Sequence, residues 1–436
     1  MLLIYAPSAT PRLHYTLQLI FHGLLHTAYE FTTDLSRLAA YAGPKLNYSR
    51  NKTAAAVYLY SDQLLFSTGL SLQTVICADY KNLKTLFHHG QTADLPFDPL
   101  AATFYLVSRY EEYLPFQPDE HGRFPAEESL NFKEGFHQIP VVNHYALLIR
   151  EILQSKYPDL TFTEQHFHFQ LTYDIDMAYA FREKGFLRNT GGFLRSLKNL
   201  NLDEMALRIQ VLSGLQDDPF DTFNDQQALH KKYNLHPIYF FLLGDYSSYD
   251  KNLSWKNKQF REMVKAISLV NETGIHSSYA SNSFPEKVVI EKERLEQMTG
   301  KKVFRNRQHF LKMQLPVTYR QLLAAGITED YTMGYSSQTG FRAGIASPFY
   351  FYDISAECTT DLLIYPFAAM DATLLYYLKL DADTSLLQVK KLVDEVRKVN
   401  GTFTFLAHND LISGKGPWLG WKENFESLIA YCMLQE

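Results

Sequence analysis

Asp174 and Asp176 stand two residues apart in LTYDIDMAYA, where an apolar run, FHFQLTY, comes to its end. A strand alternates its side chains with period two, so both carboxylates can face one side. Two acids on one rim can divide the chemistry between them, one holding a cation and the other taking a proton from water. His276 in TGIHSSYAS, Arg342 in TGFRAGIASPF and His408 in TFTFLAHND follow at later strand-to-loop junctions. Together these residue types point to metal-assisted hydrolysis.

Each residue also has a structural role open to it. The acid pair could cap the next helix. His276 as a neutral imidazole suits zinc or a similar metal, or it could be a core histidine with a hydrogen-bonded ring. His309, in FRNRQHFLK, is a further ligand, a substrate contact or a helix-start residue. Arg305 and Arg307 beside it either pair with site carboxylates or solvate the surface. Arg342 lies in a loop shaped by glycines; its guanidinium could orient Asp174 through a bidentate pair, or join Asp330 or Asp353 in a salt bridge. Asp371, after LLIYPFAAM, supports the site from behind or caps ATLLYYLKL. His408 suits a general acid facing a leaving group, with Asn409 and Asp410 at hand to set its tautomer. The chain has no glycine-rich nucleotide loop, P-loop, serine nucleophile elbow or H-E-x-x-H.

The elements that must position these residues change character along the chain. Residues 1–160 read as a mixed α/β unit. MLLIYA and AAAVYLYS are strand-like, FYLVSRYEEYL and NHYALLIREILQ are helix-like, and PFQPDEHGRFPAEESLNFKEGF is an ordered loop or a covering arm. From about 166 short apolar runs (HFQLTY, PIYFFLL, GIHS, KVFRN, LLIYPF, TFTFLAH) alternate with helical segments. The clearest helix is SLLQVKKLVDEVRKVN, where Leu386, Val389, Leu392, Val393 and Val396 make one apolar stripe. Such alternation predicts parallel β/α units, with chemistry at the C-terminal ends of the strands. A barrel and an open sheet are not separable on this ground.

Bulk properties bound the function. Length and an apolar content of 46% allow a large core and more than one domain. Aromatic content reaches 14%, enough for a carbohydrate-binding surface as well as the core. A net charge of -5 without a basic tract argues against nucleic acid. Cys77, Cys358 and Cys432 are too scattered for a disulfide framework or zinc ribbon and read as free thiols. No stretch has the length of a membrane span, and the first residues lack a basic leader, so the expected location is cytoplasmic. The oligomeric state is not legible.

These residues resemble the polysaccharide deacetylases, the family sharing the NodB homology domain, from about residue 168 to the end. The resemblance implies an irregular (β/α) barrel of NodB type over 166–436, preceded by a separate mixed α/β domain over 1–160. It makes Asp174 the catalytic base and Asp176 a metal ligand, as in the family's D-x-D variant. It makes His276 a ligand, but position 280 is Ala where the family carries a second histidine. His309 from a different loop, or water, is left to complete the set. TGFRAGIASPF resembles the motif whose arginine orients the base, implying that role for Arg342. Asp371 corresponds to the acid near that pair, and Leu406-Ala407-His408 to the motif carrying the general acid. The implied activity is removal of N-acetyl or O-acetyl groups from a carbohydrate by a hydrolase using a divalent metal, zinc above others. The N-terminal region, notably SRYEEYLPFQPDEHGRF, resembles the extra domain of a bacterial subgroup. A catalytically degenerate glycan-binding or interaction protein on the same fold is the alternative, motivated by Ala280. A two-metal phosphoesterase would need further converging ligands.

Overall fold

A computed structural model describes residues 1–53 and 56–434. The chain begins with a small parallel sheet of β1 (Leu2–Tyr5), β2 (Tyr29–Thr32), β3 (Lys45–Ser49) and β4 (Val57–Tyr60), in the order β2-β1-β3-β4. Ala54 and Ala55 of the strand-like AAAVYLYS lie outside the described residues. A hairpin follows, β5 (Ala78–Tyr80) with β6 (Leu83–Thr85). The helix Pro99–Val107 starts on an Asp98 cap, whose carboxylate accepts the N–H groups of Leu100 and Ala101, with Pro at its first position. It ends before Arg109, which takes a left-handed conformation, so FYLVSRYEEYL breaks into two pieces instead of one helix. The helix Val141–Lys156 closes this region.

The second sheet carries β7 (His168–Ile175), β8 (Ile238–Leu242), β9 (Glu272–Ser277), β10 (Arg305–Gln308), β11 (Glu329–Asp330), β12 (Phe349–Asp353), β13 (Cys358–Ile364), β14 (Ala369–Met370) and β15 (Thr402–His408). Its order is β12-β13-β11-β10-β9-β8-β7-β15-β14, and every pairing is parallel except β12 with β13. The continuous run from Cys358 to Met370 carries both β13 and β14, so one segment reaches β11 on one side and β15 on the other. The arrangement is that of a barrel-like α/β sheet. The helix Ala382–Arg397 packs the expected stripe: Val389, Leu392, Val393 and Val396 are buried, and Asp381 caps its start. No helix among the described residues is long and apolar enough to cross a membrane.

Apolar packing runs without a break from the first region into the second. Polar contacts bind them as well. Arg12 pairs with Glu357 at 2.5 Å, and Arg342 pairs with Glu112 at 2.6 Å. Burying such pairs is offset only when both partners stay satisfied.

Candidate metal centre and cavity

Parallel register brings the singled-out residues to one end of the second sheet. Asp174 of β7 is opposite His408 of β15, and His276 of β9 is opposite Arg307 of β10. Thr172, Asp174 and Asp176 alternate onto one side, as do Arg307 and His309. The result is a cavity of about 340 Å³ bordered by Asp174, Asp176, His276, His309 and His408. Phe310, Leu311, Met370, Tyr376 and Tyr377 form its apolar wall.

Asp176, His276 and His309 form a candidate divalent-metal site: one ligand atom from each lies within 4.8 Å of the others. The donor chemistry fits a cation. His276 Nδ1 is 2.9 Å from the carbonyl of Arg307, and His309 Nδ1 is 2.9 Å from Asp250 Oδ1. Each ring therefore has its Nδ1 proton occupied and turns the lone pair of Nε2 inward, as metal-ligating histidines do. Those nitrogens stand 3.2 Å from Asp176 Oδ1 and 3.4 Å from Asp176 Oδ2. Asp176 Oδ1 is buried without a hydrogen-bond partner. Lone pairs facing one another repel unless a positive charge lies among them. A proton answers that demand in part: burial pulls the His309 ring down, but Asp176 and Asp250 outweigh it and push the ring up to about 9. Burial likewise opposes ionisation of Asp176, yet His309 and His276 hold its carboxyl well below the usual range.

Asp174 is buried beside this triad, its Oδ2 3.5 Å from His276 Nε2. Arg307 donates from Nη1 to Asp174 Oδ1 at 2.7 Å, from Nη2 to Thr172 Oγ1 at 2.9 Å and from Nε to the carbonyl of Tyr331 at 2.9 Å. His408 Nε2 points inward, 3.8 Å from Asp176 Oδ2. Its Nδ1 is 2.7 Å from Asp371 Oδ1, and its backbone N–H donates to Asp371 Oδ2 at 2.6 Å. Burial pulls the His408 ring down, but Asp371 above all pushes it well above the ordinary histidine value.

Two expectations need correction, those for Arg342 and for the neighbours of His408, while Asp371 supports the site from behind. Arg342 does not reach Asp174: its guanidinium is buried in a bidentate pair with Glu112, donating from Nε at 2.8 Å and Nη2 at 2.6 Å. Neither is it the partner of Asp330, which accepts from Asn306 and Thr332, nor of Asp353, which pairs with Arg320. Its loop turns toward the first region, where Arg109 also donates to its carbonyl. Asp371 is fully buried behind His408 and does not border the cavity, so it orients the ring without facing a substrate. The His408 ring is hydrogen-bonded to Asp371 and not to Asn409 or Asp410: Asn409 donates to the carbonyls of Met177 and Phe220, and Asp410 accepts from Trp418.

Sequence reasoning missed Glu112, Asp250 and Arg123 and left Arg307 undecided. The signal for Arg307 was its spacing: Arg307 and His309 repeat the period-two pattern of Asp174 and Asp176. Arg123, from the covering arm of the first region, borders the cavity. It donates from Nη1 to the carbonyl of Phe310 at 2.7 Å and from Nε to Asp119 at 2.6 Å. Phe310 and Leu311 take left-handed backbone angles, φ 61° and φ 53°, which cost energy in residues with a Cβ and need outside support.

Residues 2–158 match the profile of a family of unknown function, DUF7033. No curated protein matches the chain. Among solved structures, a protein from Mycobacterium smegmatis assigned to the polysaccharide deacetylases is 13% identical, with a TM-score of 0.41 over 62% of this chain and 85% of that one. A second such protein, from Pseudomonas aeruginosa PAO1, is 12% identical, with a TM-score of 0.38 over 61% and 84%. The polysaccharide deacetylase of Bacillus cereus is 10% identical, with a TM-score of 0.29 over 62% and 86%.

Proposed function

We propose that this chain is a metal-dependent hydrolase that removes N-acetyl or O-acetyl groups from a carbohydrate. The observation that carries this reading is the convergence on one cavity of a cation-demanding triad, a buried carboxylate held by an arginine, and a histidine held by a second carboxylate. The reading includes an irregular (β/α) barrel over 166–436, a distinct unit over 1–160, and zinc as the favoured metal, because two imidazoles and one carboxylate suit it.

A bound divalent cation would polarise the acyl carbonyl and lower the pKa of water. Asp176, His276 and His309 would hold it. Asp174 is the base, since Arg307 fixes its carboxylate in place at the cavity. It takes a proton from the water that adds to the acyl carbon. His408 is the acid: Asp371 occupies Nδ1 and leaves the Nε2 proton for the leaving nitrogen or oxygen. The acyl carbon–heteroatom bond breaks, the amine or alcohol leaves with that proton, and acetate remains. Phe310, Tyr376 and Tyr377 offer flat apolar faces of the kind that pack on sugar rings. His309 offers a candidate ligand where Ala280 has none, which supports this reading over a degenerate binder.

The test is acetate release from N- and O-acetylated oligosaccharides by zinc-loaded protein, compared with Asp174→Asn. The variant is expected to keep its metal and lose turnover. Equal acetate release by parent and variant would exclude Asp174 as the base. Release by neither, across a broad panel of acetylated sugars, would refute the activity.

A further inference from the structure

The excursion between β7 and β8 is folded with its polar side inward. Its first two helices, Gly185–Lys198 and Leu202–Leu212, clasp a buried Arg208 between them. That guanidinium lies over the Phe181 ring at 4.6 Å and donates to Asn189 Oδ1 at 3.1 Å and Glu204 Oε1 at 2.9 Å. Gly192 makes room for it, since a Cβ there would stand 2.6 Å from Nη1. The apolar residues face the other way. Phe186 and Leu187 are 82% and 85% exposed, and Leu194 and Leu197 are exposed too. At about 100° per residue these four share one arc of the first helix. Leu202 and Ile209 extend the exposed surface onto the second helix.

Charge indicates what covers this face. In a chain of net charge -5, the helix Gly185–Lys198 carries Arg188, Arg195 and Lys198 and no acidic residue; Arg195 and Lys198 are its exposed cations, while the second helix adds Asp203 and a Glu204 already paired with Arg208. A basic helix with an exposed Phe/Leu face has the composition of one that lies in a lipid–water interface, where anionic headgroups meet the cations and acyl chains the apolar side. The hairpin is also anchored. Arg188 donates to the carbonyls of Lys251 at 2.7 Å and Asn252 at 3.1 Å, next to Asp250, the carboxylate that holds His309. A docked hairpin would therefore be tied to the same end of the sheet as the cavity.

We propose that the 185–212 hairpin docks the protein onto an anionic lipid surface. The proposal does not depend on the hydrolytic reading. Cosedimentation of the full chain with vesicles tests it, using phosphatidylcholine alone and phosphatidylcholine with phosphatidylglycerol, at low and high salt. Binding is expected to the anionic vesicles only and to weaken with salt. Phe186→Ser with Leu187→Ser is expected to lower partitioning by at least about tenfold, and Arg195→Glu with Lys198→Glu to lower it several-fold. Both pairs are exposed, so folding by circular dichroism should match the parent. Absence of binding to anionic vesicles, or equal binding by the apolar double variant, would overturn the proposal. Sedimentation velocity covers the other occupant. Self-association abolished by the apolar variant, without vesicle binding, would assign the face to a second copy and likewise overturn it.

Discussion

The exit of β10, Arg305 to Leu311, and the loop from Gly334 to Ser347 both carry a buried arginine, and they use it differently. Arg307 directs its donors inside the second sheet, to Asp174, Thr172 and the Tyr331 carbonyl. Arg342 directs its own across the boundary with the first region, to Glu112, and to the carbonyl of Gly334. Loop composition did not distinguish them. Strand register did: Arg307 is paired beside His276, two residues before His309, and so must face the cavity. The lesson is that a charged residue on a strand is placed by its neighbours, whereas one on a shaped loop goes wherever a buried counter-charge is offered.

Replacing each arginine in turn separates the two roles. Arg342→Ala leaves Glu112 buried with Arg109 as its remaining cation and should destabilise the protein by about 3–5 kcal/mol. Chemical denaturation measures that loss, and the zinc content of the folded fraction should be unchanged. A wild-type denaturation midpoint would show that the boundary pair contributes little. Two buried acids, Glu112 beside Arg342 and Glu291 beside Ser278, respond to pH in opposite directions. Burial raises Glu112, but Arg342 and Arg109 more than offset it and hold the carboxyl below 4.5. Its stabilising effect is thus present above 4.5 and lost as pH falls through the folded value. Glu291, which accepts the Ser278 N–H at 2.9 Å, is pushed by burial from 4.5 up to about 7. There the folded state holds the extra proton, so stability falls as pH rises from 4.5 through 7. Glu291→Gln should exceed the parent in stability at pH 8 by on the order of 2 kcal/mol and match it near pH 4. A constant difference at both pH values would contradict this.

Arg307→Lys keeps a charge but loses the planar fork. It should cut turnover about 10–100-fold while leaving zinc affinity within a few-fold, because the residue holds Asp174, the proposed base, and none of the three candidate ligands. Loss of zinc with retained turnover per bound metal would reverse the assignment. The smallest expected effect is that of Arg123→Ala. Releasing the Phe310 carbonyl should loosen the His309 segment and weaken zinc by about threefold to tenfold, read by chelator competition. Unchanged affinity would mean that the left-handed turn holds itself.

Much of the second sheet was legible because period-two apolar runs ending in polar residues are strong local signals. HFQLTY, PIYFFLL, GIHS and TFTFLAH all lie within strands or overlap them, and the acids and histidines fall at their ends. KVFRN overlaps β10 only at its last two residues, and the site turned on what followed it. The break at Arg109 was not legible, since the left-handed residue depends on Glu111 and Glu112 satisfying its side chain. Nor were the partners of Arg342 and His408: Glu112 lies 230 residues from Arg342, and Asp371 lies 37 from His408. The exposed hairpin at 185–212 escaped for another reason. An amphipathic pattern says that a helix has an apolar face, not that the face is turned outward.

The most direct test of the central claim is a zinc titration of the parent, His309→Ala and Asp176→Ala against a competing chelator. One tight equivalent is expected in the parent, with affinity lowered at least about 100-fold in either variant. Equal zinc binding by the parent and both variants, or none in the parent, would contradict the assignment of Asp176, His276 and His309 as a metal centre.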